Sequence, residues 1–499
     1  MREQKPGMNL DQVLSGVRLK GSGALPAGGA TCLGLDYDSR RIQPGWLFFA
    51  FPGSKADGRQ FALQAMQRGA LGAVSELPAP AEFPGFWIEV EHGREALATA
   101  SGNFYGWPDR RLSLTGVTGT NGKTTTAFLI DSLLHAAGKT TALVGTIEYR
   151  LAGKILPAVN TTPESLDLFR MFAELESLGG THATLEVSSH ALALGRVHGI
   201  RFHTAVFTNL TRDHLDFHRD MEDYFAAKHR LFTPESSPAP VCAVINQDDD
   251  YGRRIEPAAG STVIRYSLEP GADLCASDVR LSAKGLEFTL HFQGEQAHIR
   301  SRLIGRINVY NILAACGAAL SYGMNLELIA NGIAGCPPIP GRFEQIDEGQ
   351  PFTVVVDYAH TDDALRNVIA VARGLSPRRV ITLFGCGGDR DRAKRPLMGK
   401  AAAEASDFVV LTSDNPRSED PLAIIMDALV GLRRYDTPHL VELDREKAIK
   451  LALGEARPGD IVILAGKGHE PYQVLKDRTI RLDDREIARS VLREMGYTG

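Results

Sequence analysis

LSLTGVTGTNGKTTTAFLIDSLLHAA, residues 112–137, is the stretch from which the fold can be read. It opens as a short apolar run of strand type over 112–118. Glycines and small polar residues then turn the chain at Gly119, Thr120, Asn121 and Gly122. A helical pattern follows, with Phe128, Leu129, Leu133 and Leu134 returning to one face. Strand, Gly-rich turn and helix form a phosphate-binding layout, because the N–H groups of the turn and the helix N-terminus both point at an anion. Lys123 adds a mobile positive charge, and the Thr124 hydroxyl is a candidate ligand for Mg²⁺. The strict P-loop pattern needs a glycine five residues before Gly122. Val117 stands there, and Gly116 comes one residue too early. The alternative is an ordinary strand-to-helix turn with a surface lysine, which leaves Gly-Lys-Thr-Thr directly after a strand unexplained.

Moving outward, 499 residues suggest about three domains. An apolar share of 43% supplies real cores, and a net charge of −5 offers no polybasic surface, so no nucleic-acid partner is expected. Six scattered cysteines without Cys-x-x-Cys argue against a disulfide framework and a cysteine zinc site, and fit a reducing cytosol. The first residues, MREQKPGMNLDQ, hold no apolar signal core, and no apolar run is long enough to span a membrane. A cytoplasmic location and a monomer are expected.

Residues 1–111 read as a separate small α/β unit with polar turns. Its features are a Gln43-Pro44-Gly45 turn, an apolar run at 46–51, a loop at 52–58 and a helix at 61–67, with 105–108 as linker. The second unit, 112–341, carries a polar turn at 160–163 before a helix near 164–177. Residues 184–190 read as a strand running into a loop, and another strand lies at 205–209. Helices are expected at 221–232 and 308–320, and strands at 242–246 and 286–292. In a parallel sheet, the strand ends at Glu186 and Asn209 would flank the phosphate loop, where ligands of such sheets bind. Residues 337–342, Pro-Pro-Ile-Pro-Gly-Arg, read as a second linker.

The third unit, 342–499, alternates strands at 353–356, 380–384, 408–412 and 460–465 with helical patterns. This implies a mostly parallel, doubly wound, Rossmann-like sheet. Residues 385–390, GCGGDR, follow a strand but depart from dinucleotide spacing and put charges where a helix should begin.

Thr124, Glu186 and His214 could meet at the phosphates. Mg²⁺ prefers oxygen ligands, so a hydroxyl and a carboxylate suit it better than an imidazole. Glu186 could instead be a surface carboxylate, and His214 a hydrogen-bonded loop histidine. His214 and His218 have i, i+4 spacing, but without an HExxH glutamate or cysteines a zinc site is not expected.

GTNGKTTT (119–126), EVSSHAL (186–192), TRDHLDFH (211–218), AAKHRLF (226–232) and NVYNILAA (308–315) are followed by a second group of motifs. These are PGRFE (340–344), VVDYAHT (355–361), CGGDRDRAKRPLM (386–398), DNPR (414–417) and AGKGHE (465–470). Together, in this order, they resemble the Mur ligase family over nearly the whole chain. The best resemblance is to the branch that adds diaminopimelate to the peptidoglycan stem peptide, and the Gly116 offset fits that family's loop. The resemblance implies an N-terminal nucleotide-sugar domain, a central ATPase domain and a C-terminal amino-acid domain. It also implies an ATP- and Mg²⁺-dependent amide ligation through an acyl phosphate. The substrates would be UDP-N-acetylmuramoyl-L-alanyl-D-glutamate, meso-diaminopimelate and ATP. Concentrated positive charge is what lets a carboxylate approach the γ-phosphate.

Residue by residue, the resemblance assigns Gly119, Thr120, Asn121, Gly122, Lys123, Thr124 and Thr125 to ATP. Asn308, Asn311, Arg342, Asp357 and His360 match nucleotide-site positions, though each could be structural. Glu186 and His214 would bind a second Mg²⁺. Lys228 matches a lysine that CO₂ carbamylates to a carboxylate-like metal ligand; read alone, it is an exposed lysine on an Ala-rich helix. The nucleotide sugar would lie on Tyr37, Ser39, Ser54, Lys55 and Ala56. Its peptide end would lie on Asn160, Thr161, Thr162, Ser188 and Arg196, with Leu194 replacing a glutamine of some relatives. Arg390, Asp414, Asn415, Pro416, Arg417, Gly466 and Glu470 would take the amino acid, Glu470 meeting its amino group. Arg417 could grip the distal carboxylate that lysine lacks, giving discrimination of up to about 10⁴; a structural ion pair is the alternative. Asp362 stands where the family usually has proline, in a loop expected near the nucleotide. The third unit would swing on 337–342 to bring the amine in. Three other readings compete: a lysine-adding Mur ligase, a folylpolyglutamate synthase, and a nucleotide-gated binding protein without ligation.

Overall fold

The computed structural model describes residues 7–20, 29–53, 56–235 and 237–498. Three separate main sheets follow one another along the chain. The first has four parallel strands in sequential order, Gly34–Asp36, Trp46–Phe49, Gly72–Ser75 and Phe86–Glu89. The helix Gly93–Tyr105 closes this unit, and Gly106 caps it in the left-handed conformation. The 105–108 linker is an ordered joint: the Trp107 ring meets Phe169 edge-on at 5.4 Å, and its indole donates to Asn103 at 3.0 Å.

The second sheet has eleven strands. Ser113–Thr118, the strand before the phosphate loop, is central and buried almost throughout, as a strand covered by helices on both faces must be. It pairs in parallel with His182–Glu186 on one side and Thr204–Phe207 on the other. The carboxyl ends carrying Glu186 and Asn209 therefore do flank the loop. The parallel run extends from Thr141–Val144 to Leu274–Ser282, and antiparallel strands finish both edges. Helices Lys123–Ala136, Ile307–Ser321 and Leu326–Ala334 cover one face, while Ser165–Ser177 and Met221–His229 cover the other. Burying each large apolar side chain there contributes roughly 1.5–3 kcal/mol.

The third sheet runs Glu344–Ile346, Thr353–Asp357, Ile461–Ala465, Val380–Cys386, Phe408–Ser413, His439–Glu442. It is parallel except for its first strand, with packed clusters on both faces. This is the expected doubly wound arrangement. Its two edge strands, Glu344–Ile346 and His439–Glu442, were not legible as strands because they are short and half-exposed.

Three local expectations need correction. The strand ending at Glu186 does not run into a plain loop: Ser188 accepts from the Ala191 N–H at 3.2 Å and starts the short helix Ser189–Ala193. The helix of Lys228 stops at His229, and tighter turns continue to Phe232. Asp362 is not a loop residue but opens the helix Asp362–Gly374, capped by Thr361. Proline and aspartate both suit that first helical position, and Asp362 also pairs with Arg366 at 2.9 Å. No described helix is long and apolar enough to cross a membrane.

Candidate active site

Two glycines make the phosphate loop possible. Gly119 has φ 149°, and a Cβ there would sit 1.9 Å from the Thr208 hydroxyl; Gly122 has φ 88°, and a Cβ would sit 2.3 Å from Asn311 Oδ1. Any side chain would strain the turn and strike its neighbours. The helix Lys123–Ala136 starts without a side-chain cap, and so does Ile307–Ser321 beside it. Elsewhere Asp220, Asn325, Asp444 and Asp483 cap their helices. Uncapped N–H groups at the loop are free for an anion.

The loop opens into a cleft of about 770 Å³ between the second and third sheets. Lys123 folds back, donating to the carbonyls of Gly119 and Thr120, both at 2.9 Å. Burial lowers its proton affinity, opposed by Glu186 and Asp213. Thr124 donates to Glu186 at 2.9 Å and accepts from Arg342 at 3.0 Å. Glu186 is buried and also accepts from the Thr146 amide at 2.8 Å and the Thr146 hydroxyl at 3.0 Å. The surface-carboxylate alternative for Glu186 therefore falls. Thr146 was missed, although it follows the parallel strand Thr141–Val144 at its carboxyl end, where ligand-site residues gather.

Lys228 is not exposed. It is buried under the loop, its Nζ donating to the Gly119 carbonyl at 2.8 Å and lying 4.7 Å from the Tyr224 ring centre. Burial, reinforced by Lys123, pushes its proton affinity well below the usual range. His214 lines the cleft in a left-handed conformation, φ 55°, with Nε2 3.5 Å from Asp213. Burial lowers its proton affinity despite Asp213. The His190 ring meets it edge-on at 4.9 Å and stacks on Phe217. His218 faces Asp223 instead, at 3.4 Å. The structure thus brings Thr124 and Glu186 together directly, with Lys228 behind the loop. Among the described residues, no three His, Cys, Asp or Glu side chains are gathered for a metal.

Asn308, Asn311, Arg342, Asp357 and His360 all line the cleft. Asn311 donates to Asn308 at 2.8 Å, and Asp357 accepts the Phe343 amide at 2.7 Å. Burial, chiefly, lowers the proton affinity of His360. Asn160, Thr161, Thr162, Ser188, Leu194 and Arg196 line the opposite part. Arg196 is anchored on Glu164 at 3.0 Å and the Thr162 carbonyl at 2.9 Å. Tyr37, Ser39 and Ala56 do not line this cleft. Tyr37 donates to Asp167 at 2.5 Å, Ser39 donates to Gln64 at 2.7 Å, and Ala56 is exposed. Ser54 and Lys55 lie outside the described residues.

At the far end, Arg390, Asp414, Asn415, Arg417, Gly466 and Glu470 converge on the cleft. Arg417 has φ 53° and forms no ion pair among the described residues. Its guanidinium donates to the Gly388 carbonyl at 2.7 Å. Pro416 closes the turn behind it, its carbonyl so near Gly388 that a Cβ there would lie at 1.9 Å. Glu470 accepts from Asn415 and Lys467, both at 3.0 Å, and from Tyr358 at 3.3 Å. The second and third units also meet at Asp363, on the helix Asp362–Gly374, which accepts from Asn121 of the loop at 2.8 Å and from Thr211 at 3.0 Å. Neither Asp363 nor Lys467 was singled out from the sequence: Asp363 acts through residues far away in the chain, and Lys467 bridges its near neighbour Glu470 to the distant Asn415.

Family descriptions match along the chain: "Mur ligase family, catalytic domain" at 32–105, "Mur ligase middle domain" at 117–319, and "Mur ligase, glutamate ligase domain" at 341–468. A protein of Solibacter usitatus named UDP-N-acetylmuramoyl-L-alanyl-D-glutamate--2,6-diaminopimelate ligase is 66% identical over 490 residues, covering 98% of this chain and 99% of that one. A protein of the same name from Geobacillus thermodenitrificans is 44% identical over 98% of this chain and 100% of its own. A solved structure with that name superposes with a TM-score of 0.68 at 33% identity, covering 99% and 100%.

Proposed function

The chain belongs to the Mur ligase family, and from that premise we propose that it joins 2,6-diaminopimelate to UDP-N-acetylmuramoyl-L-alanyl-D-glutamate with ATP. It is an ATP-dependent ligase of peptidoglycan precursor synthesis. The observation that carries the reading is one continuous cleft. It has the phosphate loop with Thr124 and Glu186 at one end, and Arg417 and Glu470 at the other.

A carboxylate is too electron-rich for an amine to attack. Transfer of the γ-phosphoryl group makes it an acyl phosphate with a good leaving group. Lys123 leaves its two carbonyls to neutralise the phosphate oxygens, and the uncapped helix N-termini add dipoles there. Thr124 and Glu186 are hard oxygen donors and fit Mg²⁺, which they would hold and which would supply further neutralising charge. Thr162, Ser188 and Arg196 hold the peptide end of the nucleotide sugar beside Glu186. Tyr37, Ser39, Ser54, Lys55 and Ala56 hold its distal part. Asn308, Asn311, Asp357 and His360 flank ATP, with Arg342 reaching to Thr124.

Lys228 is carbamylated in the active enzyme. A neutral Nζ bonds to CO₂ and releases one proton, and the resulting carboxylate, with His214, adds acceptor oxygen and nitrogen near the phosphates. Support comes from a buried amine whose hydrogen-bond partner, among the described residues, is a carbonyl and not a carboxylate. Full activity of Lys228→Ala without added short-chain acids would exclude this role. Arg417 exchanges its carbonyl partner for the distal carboxylate of diaminopimelate, with Arg390, Asp414, Asn415 and Gly466 around it.

Ligation assays with diaminopimelate and lysine side by side test the whole reading. Phosphate release should require all three substrates and favour diaminopimelate. Arg417→Ala should lower that preference by a large part of about 10⁴; unchanged selectivity would remove the assignment.

A further inference from the structure

Glu186 is gripped by two residues that follow the neighbouring strand. It is buried at the end of His182–Glu186, and Gly145 and Thr146 close over its carboxylate from the end of the parallel strand Thr141–Val144. Thr146 engages both carboxylate oxygens. Its backbone N–H donates to Oε1 at 2.8 Å and its hydroxyl to Oε2 at 3.0 Å. Gly145 must be bare for this, since a Cβ there would lie 2.2 Å from Oε1. Thr124 of the phosphate loop also donates to Oε2, at 2.9 Å.

The Thr146 hydroxyl has a second partner, the Thr161 hydroxyl at 3.1 Å. The first bond fixes the direction of the second. An ionised carboxylate only accepts, and a hydroxyl has one proton to give. The Thr146 proton goes to Glu186, so Thr161 donates to Thr146. The result is a directed chain from Thr161 through Thr146 to Glu186. Thr162 fastens the same turn to the Glu186 main chain, its hydroxyl donating to the Glu186 carbonyl at 2.7 Å. Thr146 and Thr161 both line the cleft. A threonine side chain is stiff about its first torsion, so the bond from Thr161 selects the rotamer in which Thr146 faces Oε2.

We infer that Thr146 is a positioning residue that aims the Glu186 carboxylate at the cation, and that Thr161 acts on the same carboxylate through it. The inference rests on the ligase reading above, which makes Glu186 a Mg²⁺ ligand. A glutamate at a strand end can turn about its side-chain bonds, and each turn moves the oxygen that a cation must meet. Two donors on one residue, one from the backbone and one from a stiff side chain, remove that freedom before the cation binds. Thr124 is itself a candidate ligand through its oxygen, whereas Thr146 serves Glu186 as a donor. The Thr161 hydroxyl belongs to the turn assigned to the peptide end of the nucleotide sugar. The cation site and that turn therefore form one hydrogen-bonded unit. Loss of either hydroxyl should be felt by the cation, and the two losses should not add.

The test is calorimetric titration of Mg²⁺ into the full chain saturated with ADP, without nucleotide sugar or acceptor. Thr146→Val keeps the backbone N–H but lacks the hydroxyl, and should weaken Mg²⁺ binding about ten-fold. Thr146→Ser restores the hydroxyl and should recover most of that loss. Thr161→Val should weaken binding by a smaller factor, and the double variant should be no weaker than Thr146→Val alone. ADP affinity measured without Mg²⁺ should be the same in all four, which a general loosening of the phosphate loop would not leave. In ligation assays Thr146→Val should lower kcat and leave the KM for diaminopimelate in place. Unchanged Mg²⁺ affinity in Thr146→Val overturns the positioning role. A Thr161→Val effect that is absent, or that simply adds to the other, overturns the chain through Thr146. If Thr146→Val does not fold, Thr161→Val still decides, since Thr161 makes no hydrogen bond to Glu186 among the described residues. Failure of the ligase reading shows itself differently, as no ligation by the unmodified chain with any acceptor while its ADP complex still binds Mg²⁺.

Discussion

Two lysines are buried at the cleft, one in each of the units that form it, and their surroundings differ. Lys228 has a single carbonyl, that of Gly119, and no carboxylate among the described residues. Lys467 has a carboxylate and an amide oxygen, Glu470 and Asn415. Equal burial therefore leads to opposite chemistry. An ammonium with no hydrogen-bonded carboxylate is costly in a low-dielectric interior, so burial outweighs the more distant Asp213 and Lys228 tends toward the neutral amine that can react. Lys467 instead lies in an ion pair with Glu470 and a hydrogen bond to Asn415, so its partners hold it in place. A buried lysine's role thus follows from its partners and not from its depth.

The hardest way to break this comparison is to take away Lys467's partner. Glu470→Ala should destabilise the C-terminal unit by about 3–5 kcal/mol, the usual cost of leaving one half of a buried pair. Denaturant unfolding checks this, and a change under 1 kcal/mol would mean that the ammonium is solvated after all. Removing the other lysine should do the opposite. Lys228→Met should leave the unfolding midpoint unchanged or raise it, while ligation falls about 10²–10³-fold. A clear loss of stability in that variant would erase the contrast.

A smaller effect sharpens the comparison by loosening the two units. Asp363→Ala removes the acceptor for Asn121 and Thr211, a loss of about 1–3 kcal/mol at the contact. Small-angle scattering should then report a larger radius of gyration without nucleotide, and identical curves would count against a latch at this point.

The gentlest effect is that of pH on the central unit. Burial, chiefly, pushes His182 and His190 down to about 4 from 6.5. On acidification the unfolded chain takes up these protons first, so stability is complete above about 6.5 and is lost between 6.5 and 4. Thermal midpoints flat from pH 7 to 4 would contradict both assignments.

Much of the cleft's phosphate end could be read directly, because its parts are local. The strand, the turn and the helix of 112–137 are contiguous, and Glu186 and Asn209 each end an apolar run. The acceptor end was legible only through motifs. DNPR and AGKGHE mark Arg417 and Glu470, but the lysine inside the second motif drew no attention. One partner, Glu470, is three residues on in the same motif, but the other, Asn415, is 52 residues away, and no spacing rule connects them. Lys228 misleads for the same reason: an Ala-rich helix with a charged residue looks exposed until the phosphate loop is laid over it. Asp362 was expected in a loop because proline is so often a loop residue, whereas both residues also suit the first turn of a helix.

The sequence by itself determined the alternation of strands and helices, the phosphate loop and the family of the chain. Those properties reside in short windows of hydrophobic period, glycine placement and motif order. Only the tertiary structure decided which side chains share a cleft, which of two lysines has a counter-charge, and that Asp363 reaches the loop from another sheet. These facts depend on atoms a few ångströms apart in space, brought there by sheet order and packing across more than a hundred residues of chain.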